Sequence, residues 1–210
     1  MKIVGKLIFL VSIIGLFSCR TEVHQLESSC GIPMTSCKEN FAVYSGQNIN
    51  SEIYKSAEKE ILKLMTLEMY NETIELDEFQ FLDSCEHTRE YEWTVPQYSF
   101  VFNWKQPKGS IVSNYCFNVT LDSEGKLIDE IRIGNSKLKS ENKQLISLLD
   151  FKDIWTKAQT EGMDSYHLDF DTKRRIVTIE LGKYLNHGAS DVISSKTLKV
   201  INAYNGKEIK

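Results

Sequence analysis

Cysteines and histidines are the side chains of this 210-residue chain best suited to chemistry, and their spacing limits what they can do. A thiolate can be a nucleophile, a metal ligand or half of a disulfide, and an imidazole a base or a ligand. Cys30, Cys37, Cys85 and Cys116 include no CxxC pair, and no mixed His/Cys cluster has zinc-ligand spacing. His24, His87, His167 and His187 stand singly, with no HExxH. His167, between Tyr166 and Leu168 in a strand-like run, reads as an exposed or satisfied histidine. His187 in Asn186-His187-Gly188 reads as a turn residue. There is no G-x-S-x-G elbow and no phosphate-binding glycine loop. Asp169 and Asp171 alternate with Phe170 and would share a strand face, as a calcium site or acid/base pair requires. The segment Asp171-Thr172-Lys173-Arg174 reads more simply as a hairpin turn, and Glu75, Asp77 and Glu78 as a solvated loop. No catalytic residue, metal site or cofactor is expected.

Cys19 has a different setting. Lys2 and Lys6 precede an eleven-residue apolar run, Leu7 to Phe17, and Ser18 is small. That is the layout of a bacterial export signal, spanning 1–18, and the run falls short of the roughly 20 apolar residues of a membrane-spanning helix. Leu16-Phe17-Ser18-Cys19 also resembles the lipobox of bacterial lipoproteins. The resemblance implies cleavage before Cys19, diacylglycerol on its thiol and acylation of its amine. A plain secretory signal with an incidental cysteine is the competing reading. One acyl chain, at about 0.8 kcal/mol per buried methylene, anchors only marginally, whereas two or more hold stably. The expected partner is therefore membrane lipid, through Cys19, in the cell envelope. Arg20 is not the aspartate that retains such proteins at the inner membrane of enterobacteria, so the outer membrane is the expected destination if the host is Gram-negative.

With Cys19 lipidated, four cysteines remain, and an oxidising envelope favours bridges between them. Four cysteines allow three pairings. Spacing favours 30–37, around the turn-rich Gly31-Ile32-Pro33-Met34-Thr35-Ser36, and 85–116, between two strand-like stretches.

Removing residues 1–18 leaves 23 basic against 29 acidic side chains, a net charge of −6. That sign argues against a nucleic-acid partner, which calls for a basic surface. Ten phenylalanines, nine tyrosines and three tryptophans supply ample core material.

The elements that would position these residues follow from periodicity. Residues 19–48 read as a lipidated tether with a small disulfide loop. A helix starts near Asn50 or Ser51 and fades near Asn71, with Ile53, Ala57, Ile61 and Leu64 on one face. Stretches 79–82, 98–104 and 115–121 are aromatic or β-branched and read as antiparallel strands. Asp122-Ser123-Glu124-Gly125 is a hairpin turn, after which Leu127–Ile133 returns as a strand. Residues 134–144 are a polar linker. The pattern then restarts: a helix capped by Asp150, with Phe151, Ile154, Trp155 and Ala158 on one face and Gly162 as its stop. Strands 166–170 and 175–181 follow, then a last hairpin, 191–194 and 198–203, turning at Ser195-Lys196-Thr197. The expected fold is α+β, two tandem helix-plus-antiparallel-meander units at 49–133 and 140–210.

Residues 150–203 resemble a PepSY-type module, a cystatin-like layout of bacterial export-side proteins and peptidase propeptides. The features that carry the resemblance are Ile154, Trp155, Ala158 and Gly162, the hairpin Phe170 to Ile179, and the closing Ile193–Val200. Ser194 or Ser195 stands where that family usually has aspartate, and Leu198 where it has glycine. The resemblance implies peptidase binding or inhibition, or another binding role in the envelope, without catalysis.

Tyr98, Phe100, Phe102 and Trp104 would share one strand face as core beneath the first helix. Tyr91 and Trp93, ahead of Pro96, sit in an edge or loop and are the candidate partner-binding aromatics. The reading is a non-catalytic, membrane-anchored envelope binding protein, its partner an envelope protein or peptidase. The alternative is a peptidase inhibitor or immunity-type lipoprotein acting through an exposed loop or edge strand.

Overall fold

A computed structural model of the chain describes residues 23–26, 28, 41–44, 51–82, 97–134, 144–185 and 194–210. The expected signal, Cys19, Cys30, Cys37, Cys85, Tyr91, Trp93, His87 and His187 lie outside the described residues. The fold is α+β, with antiparallel strands in two sheets.

A short strand β1 (Phe41–Tyr44) precedes helix α1 (Ser51–Ile61), whose Ile53, Ala57 and Ile61 recur at helical spacing and are buried. The expectation of one helix reaching Asn71 needs correction, because the chain breaks at 62–66 and restarts as α2 (Leu67–Thr73). The Lys63 and Leu64 amides bond back three residues, to Glu60 and Ile61, which tightens and ends the last turn. Thr66 then caps α2, its Oγ1 accepting the Met69 amide at 3.2 Å. The break turns Leu64, Met65 and Met69 into the core.

Strand β2 (Ile74–Leu82) follows directly, so Glu75, Asp77 and Glu78 lie in a strand and not in a loop. A bulge between Leu76 and Glu78 sets Asp77 outside the ladder, and Glu75 pairs with Lys105 at 2.5 Å. With β3 (Gln97–Lys105) and β4 (Asn114–Asp122) the first sheet runs β1-β2-β3-β4. Phe100, Phe102 and Trp104 are fully buried, and Tyr54 of α1 packs 6.1 and 6.4 Å from the first two rings. That aromatic face is core. Asp122 forms the expected turn: its Oδ1 accepts the Glu124 and Lys126 amides, and Gly125 takes φ 79°. The expected return strand 127–133 does not form. A single bridge, Leu121 to Leu127, and the Ile128 amide on Thr120 are followed by irregular chain. Residues 127–130 are all exposed, with none of the alternation of a half-buried strand, and only Ile131 and Ile133 turn inward.

Helix α3 (Leu148–Thr160) is capped by Ser147, not by Asp150 as expected. Ser147 Oγ accepts the Asp150 amide at 3.0 Å and donates to Asp150 Oδ2 at 2.7 Å. Asp150 instead occupies the first turn, where a carboxylate suits the positive end of the helix dipole. Phe151, Trp155 and Ala158 are buried, and Gly162 ends the helix at φ 84°. The second sheet is a meander, β5 (Ser165–Asp171), β6 (Ile176–Leu185) and β7 (Ser194–Asn202). Tyr166 of β5 meets Phe151 and Trp155 edge-on, with centroids 5.1 and 4.7 Å apart. The expected turn at Ser195-Lys196-Thr197 is strand, paired with Tyr184, Lys183 and Gly182. The register shifts between Leu181 and Gly182, whose partners are Lys199 and Thr197, so Leu198 is the extra, bulged residue.

Segment 144–148 stitches the two sheets together. The Ile146 carbonyl accepts the Ile111 amide at 2.9 Å, and the Ile146 amide donates to Ala203 at 2.8 Å. Apolar residues of both sheets form one cluster around it, from Ile53 to Ala203. None of the described helices is long and apolar enough to cross a membrane.

Candidate functional site

Where the β3–β4 loop, the start of α3 and the turn after β7 converge, they leave a cleft of about 400 Å³. That is the lower end of small-ligand pocket volumes. Each wall has a local cause. Pro107-Lys108-Gly109 is a tight turn, with Gly109 at φ 88° and the Ser110 amide donating to the Pro107 carbonyl. The third wall is the turn Tyr204-Asn205-Gly206, in which Asn202 Oδ1 accepts the Tyr204 amide at 2.8 Å. Gly206 combines φ 67° with close approach, since a Cβ there would stand 2.7 Å from Ile154 Cδ1. The cleft is closed at its base because Ser110 bridges to Ser147 and the Gly109 carbonyl accepts the Leu148 amide.

Three polar groups of the lining are committed to the fold. Ser147 and Asp150 cap α3, and Ser110 Oγ reaches toward the Leu145 and Ile146 carbonyls at 3.4 and 3.5 Å. Burial pushes the Tyr204 phenol above its usual range, and its ring lies 6.2 Å from Trp104. Lys108 and Asp150 are exposed on the lining, one charge of each sign.

The sequence candidates do not converge on it. Cys116 is half-buried on β4 and disulfide-bonded, and its amide donates to Ser28 Oγ at 2.8 Å. His24 is exposed near the start of the described chain. His167 lies on the open side of β5, 3.4 Å from Glu180, whose carboxylate also accepts the Thr197 hydroxyl. Asp171 is a turn former: its carboxylate takes the Lys173 and Arg174 amides and pairs with the Arg174 guanidinium. The Arg174 amide and then its guanidinium hold that carboxyl below its usual range. Among the described residues no three His, Cys, Asp or Glu side chains cluster as a metal site would require.

The chain matches no protein-family model, no curated protein and no solved structure. The cleft therefore stands on its own geometry. Sequence reading missed it because its walls are joined by residues far apart in the chain, as in Ser110 with Ser147. The available signal was local: two glycine-bearing turns, Pro107–Ser110 and Tyr204–Lys207, each beside an apolar strand.

Proposed function

We propose that this is a lipid-anchored bacterial envelope lipoprotein whose folded part binds a partner without catalysis. The observation that carries the reading is how residues 23–26 and 28 lie against the folded part. The Leu26 amide donates to Ile111 at 2.8 Å, Gln25 Nε2 to the Ser110 carbonyl at 3.3 Å, and Ser28 Oγ accepts from Cys116. Val23 and Leu26 pack against the apolar cluster. Only residues 20–22 would separate a lipidated Cys19 from this docked segment, a reach of at most about 14 Å to Val23. Ser110 lines the cleft, so the anchor would hold that cleft close to the membrane surface. The commitment of Ser110, Ser147 and Asp150 to structural hydrogen bonds supports binding over catalysis.

The C-terminal block is read as PepSY-like. Its support is the order α3-β5-β6-β7, with Phe151 and Trp155 set on Tyr166. On this reading the partner is an envelope protein or a peptidase. Tyr184, Leu185 and Leu198, large apolar side chains exposed on the β6–β7 hairpin, favour a second reading as an inhibitor or immunity-type lipoprotein acting through that edge.

A photoreactive residue at Lys108, activated in the intact envelope, is expected to give one discrete adduct that the same residue at Lys173 does not give. An adduct at Leu198 and none at Lys108 would favour the edge reading. No adduct at either position would contradict both.

A further inference from the structure

We propose that the outer end of the β6–β7 ladder is a second membrane contact, a two-stranded ribbon that docks on anionic phospholipid. The second sheet outruns its cover. Tyr166, which lies against Phe151 and Trp155 of α3, is level with Leu181 of β6. Strand β5 begins at Ser165, level with Gly182. Among the described residues, Lys183, Tyr184 and Leu185 continue beyond both and pair with Lys196, Ser195 and Ser194 of β7 alone. The four residues past Leu181 carry the ribbon about 13 Å beyond the helix-covered part. The Asp164 carboxylate ties it back, accepting the Tyr184 amide at 2.7 Å. A two-stranded ribbon with neither a third strand nor a packed face is marginal in water.

Its side chains suit a medium that is apolar within and anionic at its rim. Tyr184 is 49% exposed, Leu185 39%, and Leu198, the bulged residue at the base of the ribbon, 48%. Alternation sets Leu185 on the face of the buried Leu181 and Tyr184 on the other, so apolar groups are open on both faces. A protein packed on one face would leave the other open, whereas the boundary region of a bilayer surrounds both. Tyrosine fits that depth, its ring apolar and its hydroxyl wet. The lysines supply the sign. Lys183 and Lys196 are exposed and stand directly opposite each other, Cβ atoms about 5 Å apart, a placement that repels. Neither has a carboxylate partner among the described residues. Glu161 and Glu208 are taken by Lys199, and Glu180 by Thr197. Anionic headgroups would neutralise both cations while the lysine stems lie along the acyl boundary.

The ribbon also complements the anchor by its position. From Ser195 to Ala203 the chain covers about 26 Å. At the Ala203 end, Ile146, Ile111 and Leu26 follow one another by backbone hydrogen bonds. The docked segment after Cys19 and the ribbon therefore stand at opposite ends of β7. Held at both, the protein would lie along the membrane and would not swing on the short lead from Cys19 to Val23. That orientation rests on the lipoprotein reading, whereas the ribbon's own affinity for anionic lipid does not.

The test uses the full-length protein from its native envelope, carrying a photoreactive residue at Leu185. It is mixed with phosphatidylcholine vesicles made with or without phosphatidylglycerol. Flotation on phosphatidylcholine alone reports the acyl chains, and the adduct reports the ribbon. The expected product is a phospholipid adduct at Leu185 on the vesicles that contain phosphatidylglycerol. The same residue at Lys173, in the turn between β5 and β6, should give none. Lys183→Gln combined with Lys196→Gln should lower the adduct by up to roughly 30-fold, as two cations removed from an anionic surface imply. The double variant also relieves the opposed charges, so it should melt no lower than wild type, which separates lost docking from lost folding. A phospholipid adduct that is absent at Leu185, equal at Lys173 or unchanged in the double variant would overturn the proposal. So would a discrete protein adduct at Leu185 in the intact envelope, which would put an acidic protein on the ribbon. Protein that does not float on phosphatidylcholine, yet gives the Leu185 adduct with phosphatidylglycerol, would remove the lipoprotein reading alone.

Discussion

Tyr115 on β4 carries the electrostatics of the joint between the two sheets. Burial, then the Asp169 carboxylate of the second sheet, push its phenol up to about 12, while Arg132 opposes them. The folded state thus keeps the proton that an unfolded tyrosine gives up near its ordinary value of about 10. Stability from this group is complete below about pH 10 and is lost as pH rises from there to about 12. Denaturant midpoints measured across that window should fall, and Tyr115→Phe should fall less steeply than wild type. Parallel curves for the two proteins would show that Tyr115 is not coupled to folding. Nothing in the sequence pointed to this residue as more than a strand aromatic, because Asp169, more than fifty positions away and in the other sheet, acts on it only through the fold. The Asp171 turn was legible, since its carboxylate acts on amides two and three residues away.

At the scale of elements, what the sequence revealed was local. The faces Ile53-Ala57-Ile61 and Phe151-Trp155-Ala158, the aromatic face of β3 and the Asp122 and Gly162 stops all follow from period or turn chemistry and are all present. The errors are ends and pairings. Thr66 and Ser147 won their caps by geometry, and the bulge at Leu198 let β7 run through a stretch rich in turn residues. Gly182, beside that bulge, tests the account of β7. A Cβ there would stand 2.6 Å from the Lys196 backbone carbonyl and 3.2 Å from Ser165 Oγ, so either the backbone or the pairing must give way. Gly182→Ala should destabilise the protein by about 1–3 kcal/mol, as overpacking does, and speed amide exchange across β6–β7. Unchanged exchange would mean that the two strands are not held as described.

For the whole molecule, two α+β blocks were expected as separate units, and the described chain joins them at Ile146 and in one apolar cluster. Trp104 against Tyr204 and Arg175 paired with Glu130 at 3.1 Å add contacts between the blocks. A fragment of residues 140–210 would expose the surfaces of Val177, Ile201 and Ala203 now inside that cluster. It should stay largely unfolded alone and gain near-ultraviolet dichroism from Trp155 when mixed with residues 20–139. A cooperative melt of the isolated fragment would instead establish an independent unit. The cleft beside Ser110 then gains its meaning from where the chain is tethered, and that rests on Cys19. Labelled palmitate supplied to cells making the protein measures this directly. The label should enter the wild-type protein, which should partition with membranes, and should be absent from Cys19→Ser. Wild-type protein that matures without label would contradict the lipoprotein reading.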